Sequence, residues 1–103
     1  MELREACRLF GLKAEDVAEC EGAGILSGGS SDLSDDDVRS VSLYCFLKKA
    51  GLSKGEILEY FSADCASCRA RILRCLRDRL LDEVHAGQKK LDEVDYLLRL
   101  LDR

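Results

Sequence analysis

The sequence predicts an all-α protein, in which four short helices precede one long helix. Apolar residues recur three or four positions apart through most of the 103 residues, as they do on one face of an α-helix. No alternating apolar run is long enough for a credible β-strand. The last third of the chain, residues 66–101, has no proline and a single glycine, a composition that permits an uninterrupted helix of about 36 residues.

The short helices can be placed by their caps and turns. Gly11 ends the first helix, and Ser34 is a favourable N-cap for the third, with aspartates in the positively polarised first turn. Ser53 begins the fourth helix, and Glu56 is placed to complete a capping box with it. These signals predict helices over residues 2–10, 14–22, 34–49 and 53–62. The residues expected to face the core include Ala6, Phe10, Val17, Ala18, Cys20, Val38, Val41, Leu47, Ile57, Leu58 and either Leu43 or Tyr44.

The long helix carries an apolar seam with heptad spacing. Its members are Leu80, Val84, Gly87, Leu91, Val94, Leu98 and Leu101, and from Val84 they are separated by alternating steps of three and four residues. Such a seam packs against another helix. A helix of this length spans about 54 Å, whereas a globule of 103 residues has a radius of gyration of about 13 Å. We therefore expect the helix to project and to form a homodimer through the seam; the alternative is that it folds back on its own N-terminal half.

The net charge of −4 is unevenly distributed along the chain. Residues 1–37 hold three basic and ten acidic groups, a net charge of −7, whereas residues 38–103 have a net charge of +3. An acidic first third argues against a phosphate-binding surface in that segment. No apolar run approaches the roughly 18 residues of a transmembrane helix, and the charged N-terminus is unlike a signal peptide. We therefore expect a cytoplasmic protein with no membrane partner.

Four segments of the sequence resemble the MerR family of bacterial transcription regulators. They are LREACRLFGL (3–12), EGAGIL (21–26), LSDDDVRSVSLYCFLKKAGLSKGEILEYF (33–61) and LDEVDYLLRLL (91–101), and the turn at residues 50–53 is the most diagnostic part. The resemblance implies a winged helix-turn-helix head over residues 1–62, with a shortened wing. It also implies a dimerisation helix over residues 63–103 that pairs antiparallel as a coiled coil in a dimer, and a role in transcription regulation.

The second helix would meet DNA in this family, but here its composition is unsuited to that task. The corresponding positions are Lys13, Glu15, Asp16, Ala18, Glu19 and Cys20. Sequence readout uses Arg, Lys, Asn or Gln at base edges, and phosphates are met by cations. We expect the four acids of residues 15–21 to face outward and to repel DNA. The wing is also reduced, to the segment SGGSSD at 27–32.

The only other chemically suggestive cluster is formed by cysteines. Cys65, Cys68 and Cys75 fall near the start of the long helix, where thiolates could hold zinc or another thiophilic metal. MerR relatives that sense metals use cysteines near the start of this helix. The alternatives are small apolar residues at a helix start, or a redox site, which is favoured less than a metal because no βαβ pattern accompanies the motif. Cys7, Cys20 and Cys45 lie at apolar positions and are expected in the core.

Three functional hypotheses follow from the sequence. In the first, the protein is a dimeric MerR-like regulator with weak or absent intrinsic DNA binding. In the second, it keeps the fold but acts as a dimerisation or interaction module without DNA contact, for example by pairing with a related regulator. In the third, it is a thiol-based metal sensor. No catalytic constellation is recognisable, so we do not expect an enzyme.

Overall fold

The computed structural model describes residues 1–28 and 32–103, and within these ranges the chain is all-α, as the sequence predicts. The helices are α1 (Leu3–Phe10), α2 (Ala14–Gly22), α3 (Asp35–Ala50), α4 (Lys54–Ser62) and α5 (Ala66–Leu101). The first four form one compact unit, Met1–Asp64, and α5 lies in a second unit, Cys65–Arg103. No helix in the described ranges has an apolar stretch long enough to cross a bilayer. Residues 29–31, the centre of the predicted wing, lie outside the described residues.

Capping boxes fix the starts of α3 and α4. The Ser53 hydroxyl accepts a hydrogen bond from the backbone N–H of Glu56 at 3.2 Å, and the Glu56 carboxylate accepts one from the N–H of Ser53 at 3.0 Å. The same reciprocal pair joins Ser34 and Asp37, with both distances 3.1 Å. Each box satisfies backbone donors that have no partner inside the helix. The Ser53–Glu56 box is confirmed, whereas Asp37 was not anticipated as the partner of Ser34.

Asp37 also anchors the segment that follows α2. Its Oδ1 accepts hydrogen bonds from the backbone N–H and the hydroxyl of Ser27, both at 2.9 Å. The side chain is buried, and these bonds, with those from Ser34, lower the pKa of Asp37 to about 2. A carboxylate that accepts this many bonds strongly favours its ionised form. Asp37 therefore ties the segment after α2 to the first turn of α3.

Left-handed glycines end α1 and α3. Gly11 has φ of 66° and Gly51 has φ of 112°, conformations that cost a residue with a Cβ atom about 1 kcal/mol or more. After α3, the N–H of Leu52 bonds the carbonyl of Leu47 at 3.1 Å, which closes the helix end. Both turns lie where the sequence predicts them, and they reverse the chain so that successive helices can pack.

The core of the first unit is small and apolar. Its buried members are Ala6, Leu12, Val17, Cys20, Leu33, Val38, Val41, Tyr44, Leu47, Leu52 and Ile57. Three expectations were wrong: Phe10 is 52% exposed, and Ala18 and Leu58 are also exposed. Phe10 is the last residue of α1, and its side chain borders a shallow cleft with Val38 and Arg39 instead of entering the core. Of the alternatives Leu43 and Tyr44, Tyr44 is the buried residue.

Candidate functional site

Helix α2 turns only part of its predicted contact surface outward. Glu15, Ala18 and Glu21 are exposed, whereas Asp16 is only 8% exposed and Cys20 is fully buried. The expectation that all four acids face outward was therefore wrong for Asp16. A helix has 3.6 residues per turn, so Asp16 shares a face with Cys20 and lies beside the buried Val17.

Asp16 is held by two groups of α3. The thiol of Cys45 donates a hydrogen bond to its Oδ2 at 3.2 Å, and the ammonium of Lys48 reaches its Oδ1 at 3.4 Å. The bond to Asp16 is the main cause that raises the pKa of Lys48, and burial raises the pKa of Cys45 to about 11. The ion pair satisfies a carboxylate that would be costly to bury alone. Asp16 thus serves the packing of α2 on α3.

Glu19 is held to α3 in a similar way. It accepts a hydrogen bond from the hydroxyl of Tyr44, and the ammonium of Lys48 lies 3.5 Å from its Oε2. The Tyr44 hydrogen bond is the main cause that lowers the pKa of Glu19, whereas burial raises the pKa of Tyr44 above its ordinary value. Glu19 is therefore ionised and Tyr44 protonated near neutral pH. One lysine, Lys48, faces both carboxylates, so its charge is compensated within the head.

Three lysines line a cleft beside the start of α2. Lys13 is the N-cap residue of α2, and a cleft of about 300 Å³ separates it from Lys48 and Lys49, with Asp16 and Cys45 also lining the cleft. The outward surface of α2 itself carries Glu15, Ala18 and Glu21. These residues offer neither the amide and guanidinium donors that read base edges nor the positive charge that meets phosphate.

The structure brings Cys65 and Cys68 together but leaves Cys75 apart. The Sγ atoms of Cys65 and Cys68 lie 2.6 Å apart, and all three residues are exposed. Cys75 lies seven helical positions after Cys68, a rise of about 10.5 Å, whereas thiolates that share one zinc lie within about 4 Å of each other. Among the residues described, no group of three or more His, Cys, Asp and Glu side chains is placed to hold a metal. A zinc or other thiophilic metal held by these cysteines stays a prediction.

The other three cysteines lie in the head. Cys20 is buried, and its surroundings raise its pKa to about 12, mainly through burial. Cys7 and Cys45 are half-buried. Thiols with a raised pKa are poorly ionised and therefore weakly nucleophilic. Cys20 and Cys45 thus behave as packing residues.

The apolar seam of α5 is exposed in the single chain. Leu91, Val94 and Leu98 each present about half of their surface to solvent, and Val84 and Leu101 present more. Leu80 is half-buried. A contiguous exposed apolar surface of this kind is typical of an interaction site. The seam residues therefore remain available for the predicted dimer interface.

The contacts of Tyr44 and Lys48 with α2 were not anticipated from the sequence. One signal was present: Asp16 and Glu19 are three residues apart and flank the apolar Val17 and Cys20, so they border the inner face of an amphipathic helix. Their partners lie 25 to 32 residues away in the chain. Local patterns do not identify contacts at that separation.

Comparison with known proteins supports the fold. No protein-family model and no curated protein sequence matches the chain. A search of solved structures finds similarity to a crystal structure from Listeria monocytogenes, provisionally assigned as a MerR family transcriptional regulator. The TM-score is 0.80 and the sequence identity is 21%, and the match covers 100% of this chain and 86% of the Listeria chain. That relative is named as a transcriptional regulator and not as an enzyme, and the resemblance recognised in the sequence is confirmed at the level of the fold.

Proposed function

We propose that the protein is a dimeric MerR-like transcriptional regulator with weak or absent intrinsic DNA binding. In this proposal residues 1–62 form a winged helix-turn-helix head, and residues 63–103 form the dimerisation segment. The observation that carries the proposal is the outward face of α2, which presents Glu15, Ala18 and Glu21 where a DNA-reading helix needs cations and amides.

The weak affinity follows from the source of DNA-binding energy. Non-specific affinities of about 10⁻⁴ to 10⁻⁶ M at physiological salt come from phosphates neutralised by Lys and Arg. In this head, the ammonium of Lys48 is paired with Asp16 and Glu19, and two exposed acids stand on the face of α2. Lys13 and Lys49 line the same cleft as Lys48. We expect such a head to bind more weakly than the non-specific range.

Dimerisation is supported by the exposed seam of α5. Each buried leucine contributes about 2 kcal/mol, so a seam of seven positions on each of two helices supplies enough apolar surface for a stable pair. The resemblance implies antiparallel pairing in a homodimer. A C₂ dimer would bury the same residues on both copies and place the two heads symmetrically.

Pairing with a related regulator is the second candidate function. Dimeric helix-turn-helix proteins use two half-sites about 34 Å apart, one for each head. A mixed dimer would have one DNA-reading helix, supplied by the related regulator, because the acidic α2 of this protein would not contact DNA. In this role the protein is a dimerisation and interaction module that lowers the DNA affinity of its partner.

A DNA titration tests the weak affinity, and co-expression with a relative tests the second candidate. Fluorescence anisotropy with mixed-sequence duplexes at low salt should detect little binding, in parallel with a MerR-family protein that has a basic recognition helix. If the protein is an interaction module, co-expression with that relative should give a mixed dimer by native mass spectrometry. Sequence-specific binding by this chain alone would instead support a conventional regulator and contradict the proposed weak affinity.

A further inference from the structure

Three helices of the chain begin with the same pairing of positions. The N-cap residue and the residue three positions later are Ser34 and Asp37 in α3, and Ser53 and Glu56 in α4. In α5 the corresponding residues are Cys65 and Cys68. The first two pairs exchange hydrogen bonds, because this spacing brings the N-cap side chain over the first turn. In α5 the same geometry brings two thiols together.

The two sulfurs are close enough to bond with little movement. Their separation of 2.6 Å is about 0.6 Å longer than the roughly 2.05 Å of a disulfide bond. Cys65 has extended backbone angles, φ of −138° and ψ of 155°, which direct its side chain back over the helix start. Both thiols are exposed, so a small reagent can reach either sulfur.

The surroundings make the two thiols unequal. The pKa of Cys65 is lowered to about 7, chiefly by the hydrogen bond from the Cys68 thiol and next by the bond to the Ser67 hydroxyl, whose Oγ lies 3.2 Å away. Backbone N–H groups of residues 67 and 68 also contribute. The pKa of Cys68 is raised, chiefly because its proton is shared with the Cys65 sulfur. Cys65 is therefore the more readily ionised of the two thiols, and Cys68 keeps its proton at the start of the reaction.

We propose that Cys65 and Cys68 form a thiol–disulfide exchange site that reacts with low-molecular-weight disulfides and closes into a disulfide within the first turn of α5. The Cys65 thiolate attacks one sulfur of the small disulfide, forming a mixed disulfide and releasing one small thiolate. Cys68 then loses its proton and attacks the Cys65 sulfur, which expels the second small thiolate. Two protein thiols are oxidised, one small disulfide is reduced to two thiols, and the released protons end on those thiols. The site goes beyond the proposed regulatory function, because it requires neither DNA nor a dimer.

Intact-mass spectrometry with glutathione disulfide as the probe tests the proposal. The full chain is reduced, freed of metal with a chelator and then mixed with the probe at pH 7. We expect the wild-type protein to lose two hydrogen atoms, and peptide mapping to join Cys65 to Cys68. Cys68→Ser should accumulate a glutathione adduct on Cys65, because no thiol resolves it. Cys75→Ser, which removes an exposed thiol of the same helix, should behave as the wild type.

The order of the two steps gives a second, independent readout. In Cys68→Ser the glutathione adduct on Cys65 should persist, whereas in the wild type it should give way to the Cys65–Cys68 disulfide. A glutathione adduct that persists on Cys65 in the wild-type protein would overturn the proposal. So would a wild-type product that retains both thiols, or one whose disulfide joins other cysteines or two chains.

Discussion

The hydroxyl of Tyr44 donates a hydrogen bond to the carboxylate of Glu19, which joins α3 to the helix that would read DNA. Lys48 reaches the same carboxylate and also Asp16. Two positions of α2 that would serve DNA contact in the MerR resemblance therefore serve packing inside the head. The residues of α2 that face outward, Glu15, Ala18 and Glu21, are acidic or small, and the functional proposal is based on them.

Removal of the Tyr44 hydroxyl should destabilise the head. In Tyr44→Phe the ring still fills the core, but one hydrogen bond to an ionised group is lost, which costs about 1–2 kcal/mol. Urea unfolding followed by circular dichroism measures this loss. Tyr96→Phe is the matched control, because Tyr96 is exposed on α5 and should leave the free energy of unfolding unchanged. Equal midpoints for the two variants would show that the Tyr44–Glu19 bond contributes nothing to stability.

The hydrogen bonds that the Asp37 carboxylate accepts should give the protein a distinct acid dependence. The pKa of Asp37 is 3.8 when unperturbed and about 2 in the folded protein, chiefly because the carboxylate accepts a hydrogen bond from the Ser27 backbone N–H. A carboxyl group whose pKa is lower in the folded state stabilises the fold. This stabilisation is fully present when the pH is above the pKa of the unfolded state, and it is lost as the pH falls toward the pKa of the folded state. A shift of this size corresponds to about 2 kcal/mol.

Asp37→Asn should therefore lower the free energy of unfolding by about 2 kcal/mol at pH 6, because it removes the stabilisation that corresponds to the pKa shift in the wild type. The difference between the two proteins should shrink from pH 4 to pH 2, as the wild-type carboxyl becomes protonated. Asp36→Asn is the control, because the Asp36 side chain is 89% exposed. A deficit of Asp37→Asn that stays constant down to pH 2 would contradict the role of the ionised carboxylate.

Charge placed in the seam of α5 should dissociate the proposed dimer. Leu91→Glu combined with Leu98→Glu removes four leucines from a symmetric interface, at about 2 kcal/mol each, and should raise the dissociation constant by more than about 10⁵-fold. Leu81→Glu is the control, because Leu81 is an exposed leucine of the same helix outside the seam. Light scattering at micromolar concentration measures the mass of each protein. A folded wild-type monomer would contradict the proposed dimer.

The helices, caps and turns could be predicted because they depend on residues close in the chain. The spacing of Ser53 and Glu56 is sufficient for a capping box, and a glycine such as Gly51 is sufficient to end a helix. The position of α5, Ala66–Leu101, follows from a composition free of proline. The all-α class was therefore readable from the sequence alone.

The orientation of the acids on α2 could not be predicted in the same way. Asp16 is buried because Cys45 and Lys48 come to it from another helix, and a single helix gives no sign of that contact. Phe10 was placed inward by its spacing from Ala6, but it lies at the end of α1 and stays exposed. The surface that packs against the α5 seam likewise could not be predicted, because that contact forms only in the assembly.

Cations on the outward face of α2 should create DNA affinity. Glu15→Arg with Ala18→Arg places two guanidinium groups on exposed positions and leaves the bonded Asp16 and Glu19 intact. Each new phosphate contact steepens the dependence of log affinity on log salt by about 0.9. Helix propensity changes little, because Ala, Glu and Arg all favour helices. Glu15→Gln with Ala18→Gln is the control, since it removes the acid without adding a cation.

The most direct test of the central claim is the salt dependence of duplex binding by the wild type and the Arg variant, measured together by anisotropy. We predict that the wild type binds more weakly than about 10⁻⁴ M at physiological salt, with a shallow salt dependence, and that the variant binds more tightly with a steeper one. Tight wild-type binding with a steep slope, weakened when Glu15 and Ala18 are replaced, would show that this face of α2 meets DNA and would contradict the account.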